Sequence, residues 1–422
     1  MTPESKAPSL SQNAIILLVA AVQFVNVLDF MMVMPLGPDF AKGLGIPTSE
    51  LGLISSSYAF AAALSGFVGA AFLDRFDRRK ALAVAISGLV AATAAGAMAQ
   101  GLWTMVAARF MAGAFGGPAT AIALAIVADV VPPQERGRAM SKVMGAFSVA
   151  SSIGVPLGLA LSYVAGWRFP FLAVAGLGVV VIVAALQRMP SLTGHLNVKA
   201  SMSPYDRMRA LLTDSTVRLA LLTNALVFFT AFLVIPNIAP HLIQNLGYPR
   251  PRLSWAYMVG GISSIFVLIA AGRTVDRRGP TFVAIVGTAV LAAALLFGFI
   301  APEHFFHLPV FVLFVIFMAA MSTRNLSLGS LSTRVPQNFE RAGFMSLQSM
   351  SQQLASGLGA MLSSRMLHNT PDGRLAGVDT VSALALVLAL SLPPLLAVIM
   401  RRVRVREASA PPPASPAQPQ PA

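Results

Sequence analysis

The chain has 422 residues, of which 56% are hydrophobic and 11% are charged, whereas about a quarter of an ordinary soluble domain is charged. One water-soluble core cannot bury so much apolar sequence, so the composition excludes a soluble enzyme as well as a disordered or collagen-like chain. The net charge is +14 and there is no cysteine, which excludes disulfides, thiolate metal sites and a cysteine nucleophile.

Apolar segments long enough to cross a bilayer follow one another along most of the chain. A transmembrane helix needs about 20 predominantly apolar residues, and these segments are too long and too apolar for the strands of a membrane barrel. We therefore predict an all-α integral membrane protein with twelve transmembrane helices, at 14–37, 51–73, 81–99, 102–128, 139–164, 169–187, 218–243, 253–272, 281–301, 308–332, 344–367 and 381–400.

Basic residues are divided unequally between the two sides of these spans. An even number of spans puts both termini on one side, and 22 of the 30 Lys and Arg residues fall on that side. Six fall on the opposite side, and two, Arg109 and Arg324, fall inside spans. The positive-inside rule therefore places both termini in the cytoplasm. It also explains most of the net charge, so we predict no nucleic-acid partner.

The first span carries an acidic residue, Asp29, at a depth where an ionisable group is costly and usually functional. Gln23, Asn26 and Asp29 recur at intervals of three residues, so one side of the helix is polar. We predict that Asp29 exchanges a proton and that Gln23 and Asn26 line a substrate cavity. The alternative for Asp29 is a static pair or a cap near the outer end of the span.

The fourth span carries Arg109 at the same depth as Asp29. Each lies seven or eight residues from the outer end of its span, which corresponds to about 11 Å at a rise of 1.5 Å per residue. The two side chains are therefore able to pair, and we predict that Arg109 couples to the proton on Asp29. The alternative is that Arg109 locks helices together by donating hydrogen bonds to backbone carbonyls.

Small residues in the fourth and fifth spans indicate close contacts between helices. Spacings of four residues between glycines allow two helix backbones to approach closely, and a proline interrupts or bends a helix. We therefore predict helix-packing roles for Gly113, Gly154, Pro156 and Gly158.

Charged residues gather where several spans end at the cytoplasmic side. A carboxylate at one helix end and a guanidinium at another can latch an inner gate in one conformation and release it in the other. The alternative is orientation by positive charge alone, although the acidic residues add nothing to that signal. The predicted gate residues are Asp74, Arg75, Arg78, Asp129, Asp276 and Arg277.

The tenth span carries Arg324, and no acid of comparable depth occurs in the second half of the chain. Such an arginine must meet water, backbone carbonyls or an anionic substrate group, so substrate contact and structural anchoring are both open. Asn224, Gln348 and Gln352 either line the same cavity or form interhelical hydrogen bonds, each worth about 0.6–2 kcal/mol. We predict that all four residues belong to the substrate cavity.

The two halves of the chain repeat. Asp74-Arg75 recurs as Asp276-Arg277, and Gly154 recurs as Gly359. Duplicated halves place a substrate path at the midplane between them, open alternately to each side. We predict an N-terminal six-helix bundle at 1–188, a cytoplasmic linker at 189–217, a C-terminal six-helix bundle at 218–406 and a disordered tail rich in Pro and Ala at 407–422.

These motifs resemble those of the major facilitator superfamily, in particular its twelve-span drug:proton antiporters and arabinose-efflux-permease-like members, over about 13–406. The loop 74–80 is similar to the family's G-x-L-a-D-R-x-G-R-R loop, with Ala70 and Asp77 in place of two glycines, and 272–279 keeps both glycines. Arg109-x-x-x-Gly113 resembles the buried arginine motif, and 154–158 resembles part of the antiporter G-P-x-x-G-G motif. The resemblance implies the major facilitator fold, with two pseudo-symmetric six-helix bundles, and a coupling role for Arg109.

We therefore predict a secondary active transporter, not an enzyme, that exports a small organic molecule (a drug, sugar or metabolite) by proton antiport with alternating access. Its partners would be that substrate, protons and the lipid bilayer, and it would act as a monomer in a cell membrane, expected to be a bacterial inner membrane. The proton gradient supplies the energy, so we predict no cofactor. We also predict no metal site, because Glu303-His304-x-x-His307 falls in a predicted outer loop.

Two alternatives to export stay open. One is proton-coupled uptake of a nutrient or metabolite, because a fold does not determine direction or substrate. The other is a receptor of the same fold that transports nothing, for which loss of Asp29 would leave the phenotype intact.

Overall fold

The computed structural model describes residues 11–72, 75–132, 135–193, 204–301, 309–336 and 341–408. The predicted gate residue Asp74, part of the predicted linker, the segment Glu303–His307 and the tail beyond 408 lie outside these described residues.

The first half of the chain folds into helices that follow the predicted apolar segments. Alanine and leucine favour helices, and in lipid a helix satisfies every backbone hydrogen bond within its own segment. A short helix, α2, follows the first span. The helices are α1 (Gln12–Met32), α2 (Gly37–Leu44), α3 (Leu51–Phe72), α4 (Arg78–Ala97), α5 (Leu102–Val130), α6 (Arg136–Val149), α7 (Val155–Ala165) and α8 (Arg168–Arg188).

The second half repeats this pattern after a short helix, α9, in the predicted linker. Near the outer end of the bundle a two-stranded antiparallel ribbon pairs His368 with Ala376. The elements are α9 (Pro204–Thr213), α10 (Ser215–Val234), α11 (Ile238–Pro240), α12 (Leu253–Arg278), α13 (Pro280–Leu295), α14 (Val310–Arg334), α15 (Arg341–Met366), β1 (His368–Asn369), β2 (Leu375–Ala376), α16 (Val378–Ala389) and α17 (Leu392–Ala408).

Eleven helical stretches in the described part of the chain are long and apolar enough to cross a membrane. The remaining predicted span, 344–367, corresponds to α15, which is long enough with 26 residues but contains many Ser and Gln residues. It packs between α3 and α10, and Ser351 and Ser363 donate hydrogen bonds to the carbonyls of Leu221 and Leu233 on α10. These two serines therefore face protein and not lipid, which explains how a span of lower hydropathy is tolerated.

The fifth span contains a π turn directly before Pro156. A π turn at Ala150–Gly154 separates α6 from α7, and Pro156 lies in the first turn of α7. Proline has no N–H to donate, and its ring clashes with the carbonyl four residues earlier. The π turn accommodates both effects and bends the span.

The predicted packing glycines differ in what surrounds them. A Cβ added at Gly113 would overlap the carbonyl oxygen of Tyr58 on α3, and one at Gly154 would lie 2.7 Å from Leu28 on α1. A Cβ added at the repeat partner Gly359 would overlap the carbonyl oxygen of Phe229 on α10, so the eleventh span packs closely on the seventh as the fifth packs on the first. The prediction for Gly158 is wrong, because an added Cβ there would meet no atom within 4 Å.

Asp77 stands where the similar loop of the major facilitator superfamily has a glycine, and it has a structural role in this chain. It is the N-cap of α4, and its carboxylate accepts hydrogen bonds from the Arg79 N–H (3.0 Å), the Leu192 N–H (3.0 Å) and the Ser191 hydroxyl (2.7 Å). Burial raises the pKa of Asp77, but the bonds from Leu192, Ser191 and Arg79 outweigh it, so the net pKa is lowered. Asp77 thus ties the loop between the second and third spans to the segment after α8.

Asp77→Ala should reduce stability by about 0.5–2 kcal/mol, the usual cost of losing an N-cap. Because the folded pKa is lowered, the contribution is complete above the unfolded value of about 3.9 and disappears as the pH falls through the folded pKa. Apparent melting temperatures of the two proteins in detergent should therefore differ at neutral pH and converge in acid. A difference that does not shrink as the pH falls would contradict this assignment.

Candidate functional site

Asp29 and Arg109 form a buried, bidentate ion pair between α1 and α5. The two guanidinium NH groups donate to the two carboxylate oxygens at 2.9 and 2.6 Å, and the side chains are 0% and 1% exposed. The equal depths calculated from the sequence therefore correspond to a real contact. The coupling role assigned to the pair stays a prediction.

A polar network surrounds this pair and connects four helices. Thr93 on α4 donates to the Asp29 carboxylate at 2.7 Å, and the ring of Tyr58 on α3 lies 5.1 Å from the Arg109 guanidinium carbon. The Tyr58 hydroxyl donates to Asn26 at 3.0 Å, and the Asn26 amide donates to Thr120 at 2.8 Å. A change of charge at Asp29 would therefore alter side-chain contacts on α1, α3, α4 and α5 at the same time.

The pair can respond chemically to a single proton. With Asp29 ionised, the two charges neutralise one another and each makes strong, charge-assisted hydrogen bonds. Protonation of Asp29 would leave Arg109 as an uncompensated buried cation, which is strongly unfavourable. The N-terminal helices would then favour another arrangement, one that gives Arg109 water or a different acceptor.

Three of the predicted cavity residues are engaged in bonds between helices. Asn26 belongs to the Tyr58 network, and the Asn224 amide on α10 donates to the Gln348 carbonyl on α15 at 3.1 Å. The Gln348 amide approaches the Asn224 side chain at 3.4 Å. These contacts match the alternative that the sequence left open, in which amides join neighbouring helices.

Gln23 and Gln352 are predicted cavity residues for which no hydrogen bond to another described residue is seen at the free end of the side chain. The Gln23 side-chain oxygen is buried and accepts no hydrogen bond from the described residues. Gln352 is half-buried on α15. Both side chains can still receive or offer a bond to a substrate.

Arg324 is fully buried like Arg109, but its surroundings differ from those of Arg109. It is 1% exposed, and its three side-chain nitrogens have no hydrogen-bond partner within the part of the chain that the structure describes. Its stem packs against α13, where a Cβ added at Gly287 would lie 3.2 Å from the Arg324 Cγ. A buried cation of this kind attracts a ligand that can accept hydrogen bonds.

The predicted gate residues do not form one cluster among the described residues. Arg78 on α4 donates to Asp129 on α5 at 3.1 Å, and both belong to the first half, so this pair does not join the two halves. Arg75, Asp276 and Arg277 are exposed. Among the described residues, the bond between Arg78 and Asp129 lies within one half, and the inner latch between the halves stays a prediction.

A latch that the sequence did not predict joins the halves at their outer ends. Asp39 on α2 forms an ion pair with Arg250, just before α12; the Arg250 Nε donates at 2.6 Å. Nearby, the Asn369 amide donates to Thr48 at 2.9 Å, and the Ser364 hydroxyl donates to the Ser49 carbonyl at 2.7 Å. These bonds join the two halves at the end of the molecule that we predict to face outward.

Asp39→Asn should weaken this outer latch and open the outer side more often. Because the chain has no cysteine, a Ser364→Cys background has a single thiol between the two halves. A membrane-impermeant maleimide should label that thiol faster in Asp39→Asn and in Arg250→Gln than in the background alone. Arg252→Gln is the matched control, because Arg252 is exposed and makes no ion pair with described residues. Equal labelling rates in all four proteins would show that the Asp39–Arg250 pair does not hold the outer side closed.

Comparison with known proteins agrees with this architecture. The sequence pattern described as the Major Facilitator Superfamily matches residues 19–360 and 220–419. The chain is 30% identical over 346 residues to a chloramphenicol resistance protein of Streptomyces lividans, covering 82% of this chain and 85% of the relative. It is also 26% identical over 266 residues to a chloramphenicol efflux pump of Mycobacterium tuberculosis, covering 61% of this chain and 63% of the pump.

Solved structures share the fold at low sequence identity. A D-xylose–proton symporter superposes with a TM-score of 0.72 at 16% identity, covering 90% of this chain and 97% of the symporter. A bacterial homologue of the human lysosomal transporter Spinster, inward-facing and unoccupied, superposes with a TM-score of 0.69 at 16% identity, covering 96% of this chain and 99% of the homologue. These likenesses confirm the predicted all-α membrane fold with two six-helix bundles. The chain is therefore a multi-pass membrane protein that belongs to the Major Facilitator Superfamily, a family of transporters rather than enzymes.

Proposed function

We propose that this protein exports a small, drug-like organic molecule in exchange for protons. The observation that carries the proposal is the fully buried Asp29–Arg109 pair, with Thr93 and Tyr58 around it. An ion pair at this depth is costly to maintain, and of its two members only the carboxylate can lose its charge by binding a proton.

Export of a drug is supported by the names of the relatives, which are chloramphenicol resistance and efflux proteins. Chloramphenicol is therefore the first substrate to test. Its nitro, hydroxyl and amide groups would suit the free acceptor of Gln23 and the unpartnered donors of Arg324. We place the substrate path between bundles 1–188 and 218–406, with Gln352 as a further contact.

The direction of proton movement follows from the two states of the pair. We assign the structure to the state whose outer side is closed, in which both carboxylate oxygens of Asp29 accept hydrogen bonds from Arg109. A proton entering from outside would break the pair in the outward-open state, and its release to the inside would restore the pair. With 22 of 30 basic residues on one side, we propose that this inside is the cytoplasm, that both termini lie there and that the membrane is a bacterial inner membrane.

Transport into inverted membrane vesicles tests the proposal. Vesicles with an acidic interior should accumulate labelled chloramphenicol, and an uncoupler should abolish the accumulation. Accumulation only in right-side-out vesicles would support proton-coupled uptake instead. Binding of the drug without flux in either orientation would support a receptor.

A further inference from the structure

A groove separates α12 from α13 at the end of the bundle where Arg278 and Pro280 join these helices. Its volume is about 570 Å³, which lies within the range of about 300–1,000 Å³ typical of ligand pockets. The helices α12 and α13 form its walls, and Thr323 of α14 lies at its floor. None of the residues assigned to proton exchange lines it.

The interior of the groove is apolar and continuous with the outer surface of the bundle. Val267, Ala270 and Ala271 line it from α12, and Val283 and Val286 line it from α13. On the same two helices Phe266 is 69% exposed and Ile285 is 51% exposed. Such side chains face hydrocarbon in a membrane protein, so an acyl chain can enter the groove sideways from the bilayer.

The mouth of the groove is basic. Arg277 and Arg278 lie there with the Thr274 hydroxyl, and the Arg278 guanidinium lies 4.9 Å from the centre of the Phe282 ring. Neither arginine forms an ion pair with a carboxylate of the described residues. By contrast, Arg78 in the corresponding loop of the first half pairs with Asp129. Two arginines without an ion pair to any described residue therefore lie above an apolar slot.

We propose that this groove binds one anionic diacyl phospholipid, with its phosphate on Arg277 and Arg278 and an acyl chain between α12 and α13. Basic pockets between transmembrane helices favour anionic headgroups. Cations beside an apolar cleft match a phospholipid, which carries both a charged phosphate and apolar acyl chains. The lipid belongs to the leaflet at this end of the bundle, which is the cytoplasmic leaflet in the proposed orientation.

This lipid would stabilise a helix that contacts the other half of the protein. At Gly261, α12 packs against Ser152 in the π turn of the fifth span, so a ligand wedged along α12 supports a helix that meets the other half. Lipid binding itself is independent of the proposed export and of its substrate, and is measured without transport.

Lipid binding to the purified, delipidated full-length protein tests the proposal by native mass spectrometry with phosphatidylglycerol. Wild type should retain one lipid, and Arg277→Gln/Arg278→Gln should bind it about 30-fold more weakly, from about 1 kcal/mol per basic residue and 1.4 kcal/mol per tenfold. Ala270→Trp, which fills the slot without changing charge, should also weaken binding. The matched control Arg401→Gln/Arg404→Gln removes two exposed charges from α17 and should bind like wild type.

Each other outcome would overturn the assignment. Equal weakening in the α17 control would mean that net charge alone attracts the lipid. Displacement by inorganic phosphate, or binding unaffected by Ala270→Trp, would mean that the mouth binds phosphate without an acyl chain. If the protein retained zwitterionic phosphatidylcholine as well as phosphatidylglycerol, the two arginines would not select an anionic headgroup.

Discussion

Asp29→Asn is expected to abolish proton-driven accumulation of substrate while leaving the protein in the membrane. Asparagine has nearly the same size and still accepts hydrogen bonds, but it cannot be ionised or take up the proton. The measurement is accumulation in inverted vesicles with an acidic interior, compared with exchange of labelled for unlabelled substrate without a gradient. Exchange should persist at least in part, whereas accumulation should fall to the level of vesicles that lack the transporter.

The same variant should also be less stable, because Arg109 loses its counter-charge. Breaking a buried ion pair by removing one partner costs about 3–5 kcal/mol. The double variant Asp29→Asn/Arg109→Gln removes both charges and should therefore melt at a higher temperature than Asp29→Asn, without recovering coupling. Accumulation that survives Asp29→Asn and stays sensitive to an uncoupler would move the proton site to another group.

Gly113→Val is expected to prevent correct packing of α5 against α3. The added Cβ would overlap the carbonyl oxygen of Tyr58, and a backbone atom within a helix cannot rotate away as a side chain can. Overpacking a tight contact costs about 1–3 kcal/mol and occasionally more, and here it would also displace the Tyr58 network beside Arg109. The measurements are the yield of monodisperse protein in detergent and its melting temperature.

Gly158→Val is the matched control for this prediction. It adds the same side chain in a neighbouring span, at a position where a Cβ meets no atom within 4 Å. Its yield and melting temperature should stay close to those of the wild type. Equal losses in the two variants would show that valine disturbs insertion in general and that the contact at Gly113 has no special importance.

The ion pair was predictable because helix geometry is regular. A constant rise per residue converts position in an apolar segment into depth, so Asp29 and Arg109 could be matched from their distances to the span ends. Thr93 and Tyr58 were not predictable in this way. Neither differs in the sequence from the other polar residues of its helix, and only the packing of α3 and α4 against α5 brings it to the pair.

The outer latch shows the same limit more clearly. Asp39 and Arg250 are separated by 211 residues along the chain, and neither belongs to a repeated motif. From the sequence alone, Arg250 was simply one of the few basic residues on the outer side. The sequence instead predicted a latch among charged residues at the inner helix ends. Among the described residues, these form an ion pair only within the first half, between Arg78 and Asp129.

The sequence by itself determined the membrane class, the position of the spans, the unequal distribution of positive charge and the internal repeat. Each depends on the composition of a local segment, because lipid responds to a segment's total hydropathy and charge whatever its neighbours are. Only the tertiary structure decided which polar groups satisfy one another: Asn224 with Gln348, Asp39 with Arg250, and Arg324 with none of the described residues. A hydrogen bond requires two particular side chains within about 3 Å, and that depends on which helices meet and at what height.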